Sequence, residues 1–250
     1  KTNLLTLVMT VAYKSLTNLT EAFGSVGMWD SIIYNEMRTR NIVVPQKKRV
    51  EKERQIEGAH VKDPIVGMHD WVVSFDLNSL YPHLIMQYNM SPETIINKEV
   101  RGVTVGRLLE GDEFKIEKEL CMTAKGIFFS KTKKGIIPEL IENLYKERVE
   151  AKKLMQEAAD EIEHLGEDPT YANTQIAIAN AMDNQNGFGQ GGDTPNQNQM
   201  VMQDKIKQLE LLKKARSDKL KRLESVVATQ GNIQLAIKIL MNSLYGAMSN

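Results

Sequence analysis

Two short segments, far apart in the chain, carry residue types that nucleotide chemistry uses. The first, Asp76 to Pro82, has the sequence DLNSLYP, and the second, Lys238 to Gly246, has the sequence KILMNSLYG. A hard divalent cation such as Mg²⁺ binds one or two carboxylates together with substrate phosphate oxygens, so Asp76 is a candidate metal ligand. The cationic side chain of Lys238 is a candidate phosphate ligand. Together the two segments predict a nucleotide site.

The surroundings of Asp76 favour the exposed end of a buried strand, because the apolar run at residues 71–75 precedes it. Asp76 is then either a metal ligand or the cap of the following helix. Ser79 and Leu80, at the start of that helix, would present backbone amides suited to a phosphate. Tyr81 would either stack beneath a sugar or pack in the core with its hydroxyl satisfied.

Three cations could meet a triphosphate. Arg148 and Lys152 lie one helical turn apart, and Lys238 belongs to a second helical stretch. If the two helices pair, the three charges converge, which suits a reaction that depends on positioning and charge stabilisation. Each cation alone is more often a solvated helix charge. The basic stretch at residues 205–222 has the same two interpretations, a nucleic-acid contact or a solvated helix face.

Other patterns of chemistry are missing from the sequence. The four histidines lack the spacing of a paired metal site. No Gly-rich phosphate loop ending in Lys-Ser or Lys-Thr is present, which weakens a nucleotide-hydrolase interpretation. Lys and Arg number 32, as do Asp and Glu, so net charge gives no indication of a nucleic-acid partner. The single cysteine, Cys121, forms no internal disulfide, and no apolar run approaches 18 residues, so we expect a cytoplasmic protein that does not span a membrane.

Helices are predicted before the first segment. Apolar residues recur at three- and four-residue steps from Leu4 to Phe23, and a second helix is expected from Asp30 to Arg40, after Trp29. We expect these helices to be peripheral to the chemistry. Residues 45–57 are dominated by charged and amide side chains and predict an exposed connector.

After the first segment, residues 84–86 predict one or two helical turns that end before Ser91. Residues 127–129 and 135–137, joined by the basic stretch 131–134, predict a small hairpin.

Two long helices follow. Pro138 begins the first, since proline is tolerated in an initial helical turn. The second runs from about Gln203 to Tyr245, with Gly231 as an interruption. The pair predicts an antiparallel hairpin. The Gly-, Asn- and Gln-rich segment near 184–200 is expected to be a disordered tip of this hairpin, where an insertion is tolerated.

With these residues in place, the chain resembles B-family DNA polymerases, most of all the replicative polymerases of T-even-type bacteriophages. Residues 75–82 resemble motif A of that family, and residues 238–246 resemble motif B. Residues 135–138, leading to Arg148 and Lys152, resemble the entry to the fingers helices. Residues 58–59, before 61–64, resemble the segment that connects the exonuclease and polymerase regions.

The resemblance implies an α+β fold. Part of a palm sheet would carry Asp76, a long antiparallel helical hairpin would form the fingers domain, and helices would lie at the N-terminus. Residues 1–44 would be a helical tail of an exonuclease-type domain, and residues 45–70 a connector. Residues 71–137 would form a partial palm with motif A and a hairpin, and residues 138–250 the fingers with motif B.

The resemblance also implies a role for each matching residue. Asp76, the catalytic carboxylate, and the carbonyl of Leu77 would bind the catalytic metals, two Mg²⁺ ions in a complete site. Tyr81 would exclude a ribose 2′-hydroxyl, and Tyr245 and Gly246 would lie by the nascent base pair. The remaining residues would hold the incoming deoxyribonucleoside triphosphate: Ser79, Leu80, Arg148, Lys152, Lys238 and Asn242.

The reaction implied is attack of a primer 3′-hydroxyl on an α-phosphate, with primer–template DNA as the other substrate. The family's second catalytic carboxylate, in an Asp-Thr-Asp-Ser motif, is missing, and the chain has no exonuclease carboxylate motif. We therefore expect a fragment, inactive alone, that needs a C-terminal polymerase portion, through which it would also meet a sliding clamp. If phage-encoded, it would act in the host cytoplasm.

One residue of motif A departs from the family pattern, because His83 stands where the family commonly has serine. Two other functions stay open at this point. One is a non-catalytic helical module that binds DNA or a replication partner through its basic face. The other is an RNA-making polymerase, which Tyr81 disfavours.

Overall fold

The computed structural model describes residues 4–44, 46, 61–100, 102–167, 173, 176, 180 and 197–249. These form a mostly helical α+β structure with a three-stranded antiparallel sheet, which confirms the predicted fold class. The chain divides into two compact units. The first unit combines Lys1–Arg148 with Leu235–Asn250, and the second is Val149–Gln234.

The N-terminal helices pack on the end of the chain. Helix α1 spans Leu4–Ser15 and, after a 3-10 turn at Glu21–Phe23, α2 spans Ser25–Thr39. The predicted helix to Phe23 ends early, since Leu16 has a left-handed backbone with φ of 55°. Helix α2 begins before its predicted start and contains Trp29. The buried cluster that joins these helices to residues near the C-terminus comprises Leu7, Val11, Ala12, Ala22, Met28, Ala236 and Leu240.

The prediction of a strand before Asp76 is wrong. Residues 72–77 have no regular secondary structure, and their apolar side chains are exposed, from 70% for Leu77 to 92% for Phe75. A strand needs a neighbour for its backbone N–H and C=O groups. No described strand pairs with this segment. Hence the described sheet does not carry Asp76.

The described sheet lies later in the chain, after helix α3 (Leu80–Tyr88). Strands β1 (Ile95–Glu99), β2 (Leu120–Met122) and β3 (Ile127–Ser130) are antiparallel in the order β1-β3-β2, with the short helix α4 (Val105–Leu109) between β1 and β2. Residues 127–129 therefore pair with both of these strands. The predicted hairpin with residues 135–137 is wrong, because Ile136 and Ile137 begin a helix.

That helix, α5 (Ile136–Glu167), is held at its start by Asn89 and Glu93. The Asn89 side chain donates to the carbonyls of Ser130 and Lys133 and accepts the N–H of Gly135. The Glu93 carboxylate accepts the N–H of Ile136 at 2.5 Å. These bonds satisfy donors at a helix start that would otherwise lack partners, and they tie α5 to both α3 and the sheet.

Helix α6 spans Gln197–Ser249 and passes through Gly231 without a break. The predicted interruption is thus wrong, as is disorder over residues 197–200. Residues 184–196, the rest of the predicted disordered tip, and residues 45 and 47–57 of the predicted connector lie outside the described residues. No described helix combines the length and the apolar character that crossing a membrane requires.

Helices α5 and α6 run antiparallel, as predicted. In the first unit, Ile137 and Ile141 of α5 share a buried cluster with Leu244 of α6. In the second unit, a Cβ at Gly231 would lie 3.6 Å from Met155 Sδ, and Lys219 pairs with Glu161 at 2.6 Å. Later residues of α5 therefore contact earlier residues of α6, as in an antiparallel pair.

Candidate functional site

A cavity of about 720 Å³ in the first unit is lined by residues from the Asp76 turn, α3, α5 and α6. Most of the predicted site residues meet here. The lining residues are Phe75, Asp76, Leu77, Asn78, Ser79, Leu80, Tyr81, Arg148, Lys238, Asn242 and Tyr245.

Helix α6 contributes one face of the cavity through Lys238, Asn242 and Tyr245. Steps of four and three residues place these side chains on the same side of a helix. The opposite side is buried, with Ala236 and Leu240 fully inaccessible to solvent. This apolar face fixes the rotation of α6 and so turns the polar face towards the cavity.

Trp29 of α2 anchors the same part of α6. Its side chain is 2% exposed, and Nε1 donates to the carbonyl of Leu240 at 3.0 Å and to Ser243 Oγ at 3.1 Å. The Ser243 hydroxyl also donates to the Leu240 carbonyl at 2.8 Å. None of the described residues of α1 and α2 lines the cavity, as expected, but α2 supports the site indirectly because it holds the turn of α6 between Lys238 and Tyr245.

Ser79 forms the sharp turn at the start of α3. Its backbone is left-handed, with φ of 52° and ψ of 48°, and its side chain does not cap the helix. Instead, Ser79 Oγ accepts a hydrogen bond from Arg148 Nη1 at 3.1 Å. This bond joins α3 to α5 across the cavity wall.

Arg148 is half-buried, and its Nε has no hydrogen-bond partner among the described residues. A guanidinium carries five N–H donors and stays protonated in proteins. A buried donor without a partner costs free energy. An anionic ligand in the cavity would supply acceptors beside this group, and phosphate oxygens match the geometry of a guanidinium.

Two aromatic rings stack at the cavity. The Tyr81 and Tyr245 rings have centroids 5.0 Å apart and planes 15° from parallel, and both side chains are between 40% and 50% exposed. The stack joins the start of α3 to the end of α6. Tyr81 is thus a cavity residue rather than a core residue.

Asp76 is exposed and is the sole carboxylate among the described lining residues. In the described part of the chain, no three His, Cys, Asp or Glu side chains cluster so as to hold a metal ion. One carboxylate with phosphate oxygens fits a single Mg²⁺ ion. These residues alone do not fit a pair of ions.

Two predicted site residues are not among those that line the cavity. Lys152 is exposed on α5 in the second unit, and Gly246 does not line the cavity. The sequence reasoning did not single out Phe75 and Asn78 as site residues, although both lie inside or beside the Asp76 segment. His83 was noted only as a departure from the family pattern, and its contact with Tyr145 could not be predicted because it joins helices far apart in sequence.

The chain is similar to DNA polymerases of one family. The model of DNA polymerase family B matches residues 24–191. The DNA-directed DNA polymerase of Escherichia phage RB69 is 28% identical over 250 residues, all of this chain and 26% of that protein. The enzyme of the same name from Enterobacteria phage T4 is 28% identical over 247 residues, or 98% of this chain and 26% of that protein.

An archaeal relative matches a shorter region. DNA polymerase 1 of Pyrococcus abyssi is 33% identical over 129 residues, which is 50% of this chain and 15% of that protein. The chain spans about a quarter of the length of the two phage relatives.

Proposed function

The chain belongs to DNA polymerase family B, and on that premise we propose that it supplies the incoming-nucleotide site of a template-directed DNA polymerase. The observation that carries the proposal is the convergence of Asp76, Arg148 and Lys238 on one cavity. A carboxylate and two cations around one space suit a metal-bound triphosphate. The relatives named as DNA-directed DNA polymerases support the same reaction.

In this proposal the two cations hold the triphosphate. Arg148 and Lys238 lie on different helices and would contact phosphate oxygens from two sides, with the Asn242 amide one turn beyond Lys238. The amides of Leu80 and Tyr81 begin an α-helix of nine residues, where the helix dipole favours an anion. The role of Lys152, in the second unit, remains a prediction from the family resemblance.

The sugar and base would lie against the aromatic stack. The ring of Tyr81 would occupy the volume that a ribose 2′-hydroxyl needs, which selects deoxyribonucleotides. Tyr245, stacked on Tyr81 at 5.0 Å between centroids, would face the minor groove of the new base pair, with Gly246 next to it in sequence. Primer–template DNA and deoxyribonucleoside triphosphates are the proposed substrates.

The family implies a divalent metal, and we propose Mg²⁺ with Asp76 and the Leu77 carbonyl as ligands. When bound, two such ions stabilise the attacking and leaving oxygens of nucleotidyl transfer. Asp76 is the sole carboxylate among the described residues that line the cavity. The proposal therefore requires a second carboxylate from a further polymerase portion. The exposed apolar side chains from Trp71 to Phe75 offer that portion a surface to cover.

Primer extension tests the proposal. The chain is combined with the polymerase portion that carries the second carboxylate, and synthesis is measured with Mg²⁺ for the wild type, Asp76→Asn and Asp70→Asn. Asp70 is also exposed but does not line the cavity, so it is the matched control. We expect Asp76→Asn to abolish most extension and Asp70→Asn to retain it. Near-normal extension by Asp76→Asn would falsify the assignment, and DNA binding without recoverable synthesis would favour a non-catalytic DNA-binding module.

A further inference from the structure

His83 contacts the Ser79 carbonyl in two ways. Its backbone N–H donates to that oxygen at 3.1 Å, and its ring Nδ1 lies 2.9 Å from the same oxygen. A carbonyl oxygen only accepts hydrogen bonds, so Nδ1 carries a proton and donates. The half-buried imidazole also meets the Tyr145 ring of α5 edge to face, with centroids 4.9 Å apart and planes at 81°.

The Ser79 turn needs such support. A residue that caps a helix start ordinarily has an extended backbone, and its side chain accepts a backbone N–H of the first turn. Ser79 instead has a left-handed backbone and makes no side-chain cap. L-residues other than glycine, asparagine and aspartate are disfavoured in that conformation. The His83 ring supplies a side-chain donor to this turn.

The Ser79 turn also positions the guanidinium of Arg148. Ser79 Oγ accepts from Arg148 Nη1, while Nε of that side chain is buried without a partner in the described part of the chain. Tyr145 lies three residues before Arg148 on α5, on the same side of the helix. His83, in the first turn of α3, thus contacts the Ser79 turn and also Tyr145 of α5, yet it does not itself line the cavity.

From these contacts we propose that His83 is a positioning residue for triphosphate binding. Its ring holds the Ser79 turn in the conformation that lets the Ser79 hydroxyl receive Arg148, and it fixes the face of α5 that carries Arg148. The inference rests on the proposed function, because the ligand that Arg148 would hold is the incoming triphosphate. Loss of the ring donor should weaken substrate binding and spare the chemical step at Asp76.

This role is tested by measuring the KM for dTTP and the kcat of the complete polymerase in two variants of His83. His83→Leu removes the donor, whereas His83→Asn keeps a side-chain N–H at a position similar to that of Nδ1. We expect His83→Leu to raise the KM by about 3- to 10-fold, the range for one lost hydrogen bond. We expect its kcat to change by less than about twofold, and His83→Asn to restore the KM to within about twofold of the wild type.

His69→Leu is the matched control. His69 Nε2 lies 2.9 Å from the carbonyl of Ile65, also four residues back, but His69 is exposed and does not line the cavity. We expect this control to leave the KM unchanged. A wild-type KM in His83→Leu, or an equal defect in His83→Asn, overturns the positioning role.

The chain alone provides a readout that is independent of polymerase activity. In a double-mutant cycle of His83→Leu and Arg148→Met, chemical unfolding should reveal coupling of at least about threefold in the unfolding equilibrium constant. Independent effects of the two substitutions overturn the contact path through Ser79. If the wild-type polymerase extends no primer but this coupling is found, the proposed function fails while the positioning of Arg148 by His83 stands.

Discussion

Replacing Trp29 with phenylalanine should destabilise the first unit, because the indole is the buried link between α2 and α6. The substitution removes Nε1–H, which donates to the Leu240 carbonyl and to Ser243 Oγ at 3.0 and 3.1 Å. One lost hydrogen bond of this kind costs about 1 kcal/mol in the free energy of unfolding. The Leu240 carbonyl keeps the hydroxyl donor of Ser243, so the substitution leaves this acceptor paired.

The smaller ring adds a packing term. Phenylalanine leaves a gap on the order of 40 Å³ beside residues of a buried cluster, which at about 24 cal/mol per Å³ adds about 1 kcal/mol. That cluster includes Ile85, Ile141 and Leu244. The sum is about 2 kcal/mol, which lowers the Tm by about 4–8 °C for a unit of this size.

Guanidinium unfolding followed by circular dichroism measures this loss, with Trp71→Phe as the control. Trp71 is 97% exposed, so its substitution should change the free energy of unfolding by less than about 0.5 kcal/mol. The control also leaves Trp29 as the sole tryptophan, and its fluorescence should report a buried ring in the native state. Equal stabilities of the two variants would refute the argument that Trp29 anchors α6.

Three further predictions concern the sugar, the long helix and the helix start. Tyr81→Ala should increase ribonucleotide incorporation relative to deoxyribonucleotide incorporation by the complete polymerase; an unchanged ratio removes the proposed sugar selection. Gly231→Ala should raise the free energy of unfolding by about 0.5–1 kcal/mol, because α6 continues through it; an unchanged or lower stability would contradict this expectation. Burial raises the pKa of Glu93, but hydrogen bonds from Ile136 N–H and the Ser91 hydroxyl outweigh it, so the pKa is lowered. The ionised Glu93 therefore stabilises the folded state above the ordinary pKa of glutamate, and this stabilisation is lost as pH falls through the lowered pKa of the folded protein. Glu93→Gln should reduce the loss of stability in acid, measured by unfolding at several pH values, and an unchanged pH profile would contradict this role of Glu93.

The sequence predicted most of the described helices, because apolar periodicity is a local pattern. Apolar steps along α5 and α6 identify buried faces such as that of Ile237 and Leu240, and the antiparallel pairing follows from two long helices joined in sequence. The convergence of Lys238 with the Asp76 turn in one cavity was also anticipated from residue type and order.

The errors arose where a local pattern depends on a distant partner. Trp71 to Phe75 has the composition of a strand, but strand formation requires a pairing edge, and none is described beside it. The apolar pair Ile136 and Ile137 is compatible with either a strand or a helix. The hydrogen bond from the Ile136 N–H to Glu93 stabilises the helix start. Trp29 and Leu240 are 211 residues apart, so no spacing rule could reveal their contact.

The dependence of primer extension on dTTP concentration tests the central claim most directly, that α5 and α6 hold one triphosphate. The complete polymerase is compared in three forms, Arg148→Ala, Lys238→Ala and the control Lys146→Ala, whose cation is exposed on α5 and pairs with Glu142. A hydrogen bond to a charged group contributes about 1.5–3 kcal/mol, so each cavity variant should raise the KM at least about tenfold. The control should retain the wild-type KM. A wild-type KM in both cavity variants would contradict the account.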